Sequence, residues 1–139
     1  MKISARNQLK GTVSNVAEGA VNGVVTIDLG ENTVKASITM ESIKELGLAE
    51  GKEAYAIVKA TNVMFATGKV AGISARNQLA GKVVAVTEGA VNGHVSIELA
   101  DGSKITGSIT NEAIESLGLA EGAEAVAIIK ATDVIVGVE

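Results

Sequence analysis

The chain consists of two copies of one sequence unit, and this duplication limits the available folds more than any other feature. Three strings recur: ISARNQL at 3–9 and 73–79, EGAVNG at 18–23 and 88–93, and LGLAEG at 46–51 and 117–122. The spacing between copies grows by one residue near ADGSK, where a turn would absorb the insertion. Two copies are too few for a solenoid. The sequence therefore predicts two small tandem domains, 1–68 and 69–139, joined by the short segment ATGKVAG.

Composition indicates folded domains that need support from association. The chain has 139 residues, 47% of them apolar and 20% charged, which is typical of a globular protein. Each unit would build its core from Val, Ile, Leu and Ala, since Tyr55 and Phe65 are the two aromatic residues. Cysteine is absent, so disulfides and thiolate metal sites are excluded. Cores this small supply little net stability, and we expect a homo-oligomer.

The same survey predicts where the chain resides. No run of 18 apolar residues exists, so we expect no membrane span. The start of the chain, MKISARNQLKG, lacks the apolar stretch of a signal peptide. These features predict a cytoplasmic protein. The single histidine, His94, occupies the position of Val24 when the two copies are aligned. It is interpreted as a surface residue.

Hydrophobic alternation predicts mostly strands. In VVTIDL, Val25, Ile27 and Leu29 fall on one face, and HVSIEL repeats the pattern with Val95, Ile97 and Leu99. The first strand is predicted over residues 2–16, and the Asn-Gly of EGAVNG predicts a hairpin turn. Segments 53–65 and 124–136 are apolar on both faces, which indicates long buried strands.

One short helix is predicted in each unit. In TMESIKELG, Thr39 suits the N-cap, Met40, Ile43 and Leu46 form an apolar stripe, and Gly47 ends the helix. TNEAIESLG repeats the pattern from Thr110 to Gly118. About five strands and one short helix per unit predict an all-β fold of two tandem OB-like Greek-key β-barrels.

Charge comparison between the two copies selects candidate binding residues. Cations occupy the same aligned position in both copies only twice, at Arg6/Arg76 and at Lys59/Lys130. In an extended strand, Ser4 and Arg6 would project from one face. The helix start after Thr39 offers free backbone N–H groups, and the hydroxyls of Thr39 and Ser42 could lie beside them. Lys59 is predicted on a buried strand, where an unpaired ammonium is costly.

These groups predict a small pocket of hydrogen-bond donors for an anion. A pairing of Arg6 and Lys59 with surface glutamates remains the alternative. No Ser-His-Asp or Cys-His set is present, so no catalytic residue is predicted.

The motifs SARNQLKG, EGAVNG, SIT before a short helix, LGLAEG and IVKAT together resemble the molbindins, the Mop-type molybdate-binding domains. The resemblance covers both copies and is closest to the cytoplasmic di-Mop molybdate-storage proteins. It implies OB-like barrels, a trimer of two-domain chains, and molybdate sites at domain and subunit contacts. It implies no enzymatic activity, no organic cofactor and no metal bound directly by protein ligands. Tungstate, nearly equal in size, is expected to bind as an analogue.

The resemblance also implies a set of ligand-binding residues. In the first copy these are Ser4, Ala5, Arg6, Asn7, Thr39, Ser42, Lys59 and Ala60. Their counterparts in the second copy are Ser74, Ala75, Arg76, Asn77, Thr110, Lys130 and Ala131, while Ala113 replaces the hydroxyl of Ser42. A second kind of site is implied near the symmetry axis, for which Asn22 and Asn92 are candidates, and a plain turn role for them stays open.

Two other functions remain open from sequence alone. An OB barrel often binds single-stranded nucleic acid through a basic groove and aromatic platforms, but the net charge of −4 and an aromatic content of 1% disfavour that function. A structural or adaptor oligomer, with the shared cations paired across subunits, is the other alternative.

Overall fold

The computed structural model describes residues 1–139 and contains two five-stranded antiparallel sheets, each with one short helix. The first copy supplies β1 (Asn7–Ala17), β2 (Asn22–Asp28), β3 (Thr33–Thr39), α1 (Met40–Glu45), β4 (Glu53–Val58) and β5 (Met64–Ala66). The second copy supplies β6 (Asn77–Glu88), β7 (Asn92–Leu99), β8 (Lys104–Thr110), α2 (Asn111–Leu117), β9 (Glu124–Ile129) and β10 (Ile135–Gly137). None of the helices has the length and apolar character needed to cross a bilayer.

The strand order confirms the predicted all-β fold. The first sheet has the order β10-β4-β1-β2-β3 and the second β5-β9-β6-β7-β8. Four strands in the order 4-1-2-3 make a Greek key. In each sheet the fifth strand also contacts the third, so the sheet curls toward closure.

The fifth strand of each sheet comes from the other copy. β10, near the end of the chain, pairs with β4 through Ile135↔Ile57 and Val136↔Ala56. β5 pairs with β9 through Met64↔Ile128 and Phe65↔Ala127. The hydrogen-bonded sheets therefore do not coincide with the two sequence copies, and one continuous core of 26 buried residues runs through both.

Three strand predictions are wrong: one strand begins later than predicted, and two are interrupted. β1 begins at Asn7 rather than at residue 2, because the Gln8 side-chain amide donates to the carbonyls of Ile3 and Ala5 and folds that segment into a bend. Segments 53–65 and 124–136 are each broken by a 3-10 turn, Ala60–Asn62 and Ala131–Asp133. The break puts Lys59 at the exposed end of β4 rather than on a buried strand.

The Asn-Gly pair does not form the predicted hairpin turn. Asn22 and Gly23 are the first residues of β2, and the turn precedes them. Gly23 is buried where α1 crosses the strand, and a Cβ there would lie 2.7 Å from Ile43 Cδ1 and 2.9 Å from Met40 Sδ. Glycine is therefore needed for the close approach of the helix rather than for a turn.

The two helices begin as predicted. The Thr39 hydroxyl accepts a hydrogen bond from the Ser42 backbone N–H at 3.1 Å, and Thr110 does the same for Ala113. Met40 and Ile43 are buried in the core, as is Ile114 in the second copy. Gly47 and Gly118 both have φ near +64°, which glycine adopts readily at the end of a helix.

Candidate functional site: twin cationic pockets between the two copies

The first pocket brings together the two cationic segments of the first copy. Its wall contains Ser4, Ala5 and Arg6 from the bend before β1, and Lys59, Ala60 and Thr61 from the break after β4. β1 and β4 are paired in register, with Asn7 opposite Val58. That register brings the residues before Asn7 beside those after Val58. The pocket has a volume of about 350 Å³.

The opposite wall of this pocket belongs to the second copy. His94 on β7 and Ser108 on β8 are cross-strand partners, and both line the pocket. The pocket therefore lies between the two copies, and neither copy forms it alone.

A second pocket of about 300 Å³ repeats this arrangement with the copies exchanged. Arg76 and Lys130 come from the second copy, while Ser37 and Val24 come from the first. The aligned lining pairs are identical at six positions: Ser4/Ser74, Arg6/Arg76, Lys59/Lys130, Ala60/Ala131, Thr61/Thr132 and Ser108/Ser37. Ala75, the counterpart of Ala5, does not line its pocket.

The four shared cations are free to attract an anion. The ion pairs of the chain are Met1 with Glu139 and Lys10 with Glu53, and they include none of the pocket cations. The pairing of Arg6 and Lys59 with surface glutamates is therefore wrong within this chain. No carboxylate lines either pocket, so each pocket presents two positive charges and three hydroxyl groups.

The side chains of Asn7 and Asn77 bind the neighbouring sheet instead of the pocket. Asn7 is 2% exposed; its amide donates to the Thr106 carbonyl and accepts from the Thr106 N–H, both at 2.8 Å. Asn77 makes the same pair of bonds to the backbone of Lys35. Thr106 and Lys35 lie on β8 and β3, the edge strands of their sheets, so each asparagine covers an edge strand of the other sheet.

This asparagine clamp positions the pocket as well as the sheets. Ser108 is two residues beyond Thr106, and Ser37 is two residues beyond Lys35. Residues two apart on a strand share a face. Each clamp therefore holds a pocket serine against the cations of the other copy, and this accounts for the asparagine of ISARNQL.

Comparison with known proteins identifies the family. The TOBE domain model matches twice, over residues 3–65 and 73–136. The chain belongs to the TOBE domain family. Each TOBE match contains one SARN and one KAT segment, so the cations of both pockets lie within the matched ranges.

The relatives confirm the resemblance seen in the motifs. The molybdenum transport protein ModE of Azotobacter vinelandii is 42% identical over 139 residues, which cover 99% of this chain and 52% of ModE. The molybdenum-pterin-binding protein MopA of Rhodobacter capsulatus is 44% identical over 137 residues, covering 97% of this chain and 52% of MopA. The chain spans about half the length of these two curated relatives.

A solved structure matches the whole chain. The cytoplasmic molybdate-binding protein ModG, crystallised with molybdate bound, is 50% identical to this chain. The match covers 100% of both chains with a TM-score of 0.96. The arrangement of the two TOBE domains in this chain is therefore that of a known structure.

The remaining predicted site residues lie at another part of each TOBE domain. Thr39 is opposite Asn22 in the β2–β3 ladder, and Thr110 is opposite Asn92 in the β7–β8 ladder. These residues and Ser42 do not line either pocket. The Thr39 hydroxyl donates to Ser42 Oγ at 3.0 Å, so the two hydroxyls contact each other. Within one chain the structure therefore separates the helix starts from the SARN and KAT residues.

Sequence reasoning missed His94, Ser37 and Ser108. His94 is exposed, as predicted, but it also lines the pocket of Arg6 and Lys59, which was not predicted. The signal that could have found these residues is strand pairing: His94 and Ser108 are cross-strand partners, as are Val24 and Ser37. That pairing does not reveal the contact between copies, to which the exchanged strands and the asparagine clamp contribute.

The largest cavity of the chain does not include any predicted site residue. It has a volume of about 620 Å³ and lies beside the segment that joins the copies. Lys69 and Lys82 line it, but so do Glu98 and Glu124. Because carboxylates stand among its lysines, this cavity suits a dianion less well than the two smaller pockets do.

Proposed function

We propose that this chain binds molybdate in the twin pockets and stores it in the cytoplasm, without catalysing a reaction and without an organic cofactor. The observation that carries the proposal is the composition of each pocket: one arginine, one lysine and three hydroxyl groups, with no carboxylate. The likeness to ModG, a cytoplasmic protein with molybdate bound, supports both the ligand and the location.

Backbone donors would add to the side chains. The 3-10 turn after Lys59 begins at Ala60, and its first internal hydrogen bond is donated by the N–H of Asn62 to the Lys59 carbonyl at 2.9 Å. The N–H groups of Ala60 and Thr61 precede that bond, as at the start of any helical turn. Such groups bind oxyanions well. The turn beginning at Ala131 repeats this arrangement.

The charge of the ligand would decide selectivity. Molybdate and tungstate are fully deprotonated dianions at neutral pH, so each oxygen accepts hydrogen bonds. Hydrogen phosphate carries a proton that must be donated, and neither pocket has a carboxylate to accept it, which leaves only the hydroxyl oxygens, already needed as donors to the anion. We therefore expect tungstate to compete well with molybdate and phosphate to compete poorly.

The association of chains would involve the predicted site residues that lie at the helix starts, outside the two pockets. The hairpin tips beside the helix starts expose Val21 (72%) and Val91 (71%) to solvent. Packing another chain against these tips would remove the apolar surface of both valines from water. We propose a homotrimer in which Thr39, Ser42 and Thr110, with Asn22 and Asn92 nearby, contribute to sites between subunits. Sedimentation velocity at micromolar concentration tests the trimer, and a monomer that persists with molybdate would overturn it.

Calorimetric titration with molybdate tests the ligand and the pockets. Lys59→Ala should weaken the first pocket, and Lys130→Ala the second, each by roughly ten- to a hundredfold, as expected for a charge-assisted hydrogen bond. Lys44→Ala is the matched control, because Lys44 is an exposed cation on α1 that lines neither pocket. Equal affinity for molybdate in all four proteins would show that the pockets are not the sites.

A further inference from the structure

His94 is the one ionisable difference between the twin pockets. The arginine, the lysine and the three hydroxyl groups of one pocket all have identical counterparts in the other. At the position opposite the pocket serine, the first pocket has His94 and the second has Val24. Val24 lies on β2 and His94 on β7, the second strand of each copy, so the two backbones present them in the same way.

The surroundings of His94 contain no acidic partner. Arg6 and Lys59 are the charged groups that line the pocket with it. On its own sheet the neighbours that share its face are uncharged: Thr87 on β6, Asn92 and Ser96 on β7, and Ser108 on β8. His94 is exposed and makes no side-chain hydrogen bond within the chain, so its imidazole is available to a bound ligand.

On the basis of the proposed function, we infer that His94 is a third cationic binding group of the Arg6–Lys59 pocket and that the chain therefore has two unequal anion sites. Imidazole groups change charge within the range of about pH 5 to 8. A protonated imidazole adds a positive charge and a second N–H donor beside a dianion. The affinity of this pocket for a dianion therefore rises as the pH falls, and binding takes up a proton. The pocket of Arg76 and Lys130 has Val24 at this position and keeps a flat pH profile.

Reciprocal substitutions test the inference. His94→Val makes the first pocket like the second, and Val24→His makes the second like the first. Each protein is titrated with molybdate at about pH 6 and about pH 8, in buffers of different ionisation enthalpy, so that proton uptake is measured with affinity. In the unaltered chain we expect one class of site to bind roughly three- to tenfold more tightly at the lower pH, as a partly exposed charge contact gives.

The variants then separate the outcomes. His94→Val should remove both the pH dependence and the proton uptake. Val24→His should give both classes of site the same rise in affinity on acidification. If His94→Val keeps the pH slope and proton uptake of the unaltered chain, the inference about His94 is wrong while molybdate binding stands. If the unaltered chain does not bind molybdate at either pH, the proposed function fails as well.

Discussion

The two pockets and the two helix starts diverge to different extents, although both arose from the same duplication. The pockets match at six lining positions and differ where His94 replaces Val24. The helix starts TMESI and TNEAI differ at two of five positions, since Asn111 replaces Met40 and Ala113 replaces Ser42. Each pocket is built by both copies, whereas each helix packs on its own sheet. A change in a pocket therefore disturbs both halves, and a change at a helix start is absorbed locally.

The exchanged strands offer a second comparison. Phe65 on β5 and Val136 on β10 are aligned residues, and each packs near the third strand of the other copy's sheet. Beneath Phe65 the third strand has Gly107, whereas the first copy has Ala36 at that position. The larger residue, Phe65, is thus matched with glycine, and the smaller residue, Val136, is matched with alanine. The difference between Phe65 and Val136 is therefore matched by a compensating difference on the third strand.

Removing an asparagine clamp should have the largest effect on stability. Asn7→Ala deletes two 2.8 Å bonds to the backbone of Thr106 and one 3.1 Å bond to the Val58 carbonyl. It also leaves an edge-strand N–H and C=O without these partners. We expect a loss of about 2–4 kcal/mol in the free energy of unfolding, measured by urea denaturation, and a similar loss for Asn77→Ala.

The matched control for the clamp is Asn15→Ala. Asn15 is an exposed asparagine at the bulge of β1 and makes no side-chain hydrogen bond within the chain. Its substitution should change stability by less than about 0.5 kcal/mol. If Asn7→Ala is as mild as this control, the clamp is not what joins the sheets.

A smaller effect is expected from adding one methyl group at Gly107. A Cβ there would meet the Phe65 ring, with Cζ at 2.9 Å, and would lie 3.1 Å from Val63 Cβ. Gly107→Ala should destabilise the protein by about 1–3 kcal/mol through overpacking. In the background of Phe65→Val, which copies the first sheet, the same substitution should cost almost nothing.

The coupling between these two substitutions is the measured quantity. A double-mutant cycle in urea should give an interaction free energy of about 1–2 kcal/mol between residues in contact. The mirror variant Ala36→Gly, paired with Val136→Phe, tests whether the first sheet accepts the arrangement of the second. Strict additivity of Gly107→Ala and Phe65→Val would contradict a compensating pair.

Substitutions at the two helix starts should change the free energy of unfolding less, and in opposite directions. Asn111 Oδ1 is buried without a hydrogen-bond partner, whereas Met40 at the equivalent position is a buried apolar residue. Asn111→Met loses the 2.8 Å bond from Nδ2 to the Gly89 carbonyl but removes the unpaired oxygen. We expect a net gain of about 0.5–1 kcal/mol, since an unsatisfied buried acceptor costs more than an average hydrogen bond contributes.

The reverse substitution checks that burial is the cause. Met40→Asn places a polar amide in the core of the first sheet and should lower the melting temperature. If both substitutions change it in the same direction, the difference between the helix starts does not come from the polarity of this position.

Local patterns predicted the parts of this fold that are built from nearby residues. Alternation in VVTIDL and HVSIEL identified β2 and β7 with their buried faces, and the threonine caps identified both helices. The comparison of the two copies also selected Arg6 and Lys59, which the structure brings into one pocket. These predictions needed only periodicity, capping and internal repetition.

Long-range contacts could not be predicted in this way. The strand exchange pairs residues about 60 to 80 apart, such as Phe65 with Ala127 and Ile57 with Ile135, and nothing local distinguishes these partners from the strand of the same copy. The amide of Asn7 looks like a ligand group in sequence, and its two backbone bonds to Thr106 become visible only in the structure. For the same reason the sequence did not reveal that the exposed His94 lines this pocket, because the second copy supplies the far wall of the first copy's pocket.

The smallest effect is expected where the turns of the two copies meet. Asp101 lies in the turn that carries the inserted residue, and its carboxylate accepts from Ser103 N–H at 2.8 Å and from Asn32 Nδ2 at 3.4 Å. Partial burial raises the pKa of Asp101, but the hydrogen bonds from Ser103 and Asn32 outweigh it and hold the pKa below its usual range. A lowered pKa means that the ionised form stabilises the fold above the unfolded pKa, and that this contribution is lost as the pH falls through the folded value.

Asp101→Asn should therefore cost about 0.5 kcal/mol at neutral pH, a value kept small by solvent screening, and less at about pH 3, where the carboxylate begins to be protonated. Asn32→Ala is the matched variant, because it removes the contact between copies and leaves the bond from Ser103. Urea denaturation at both pH values separates the two contributions. If Asn32→Ala removes as much pH dependence as Asp101→Asn, the contact between copies dominates this turn; if it removes none, the carboxylate acts within its own turn. In the second case, contact between the copies would limit which residues are tolerated in the pockets and the clamps but not in this turn.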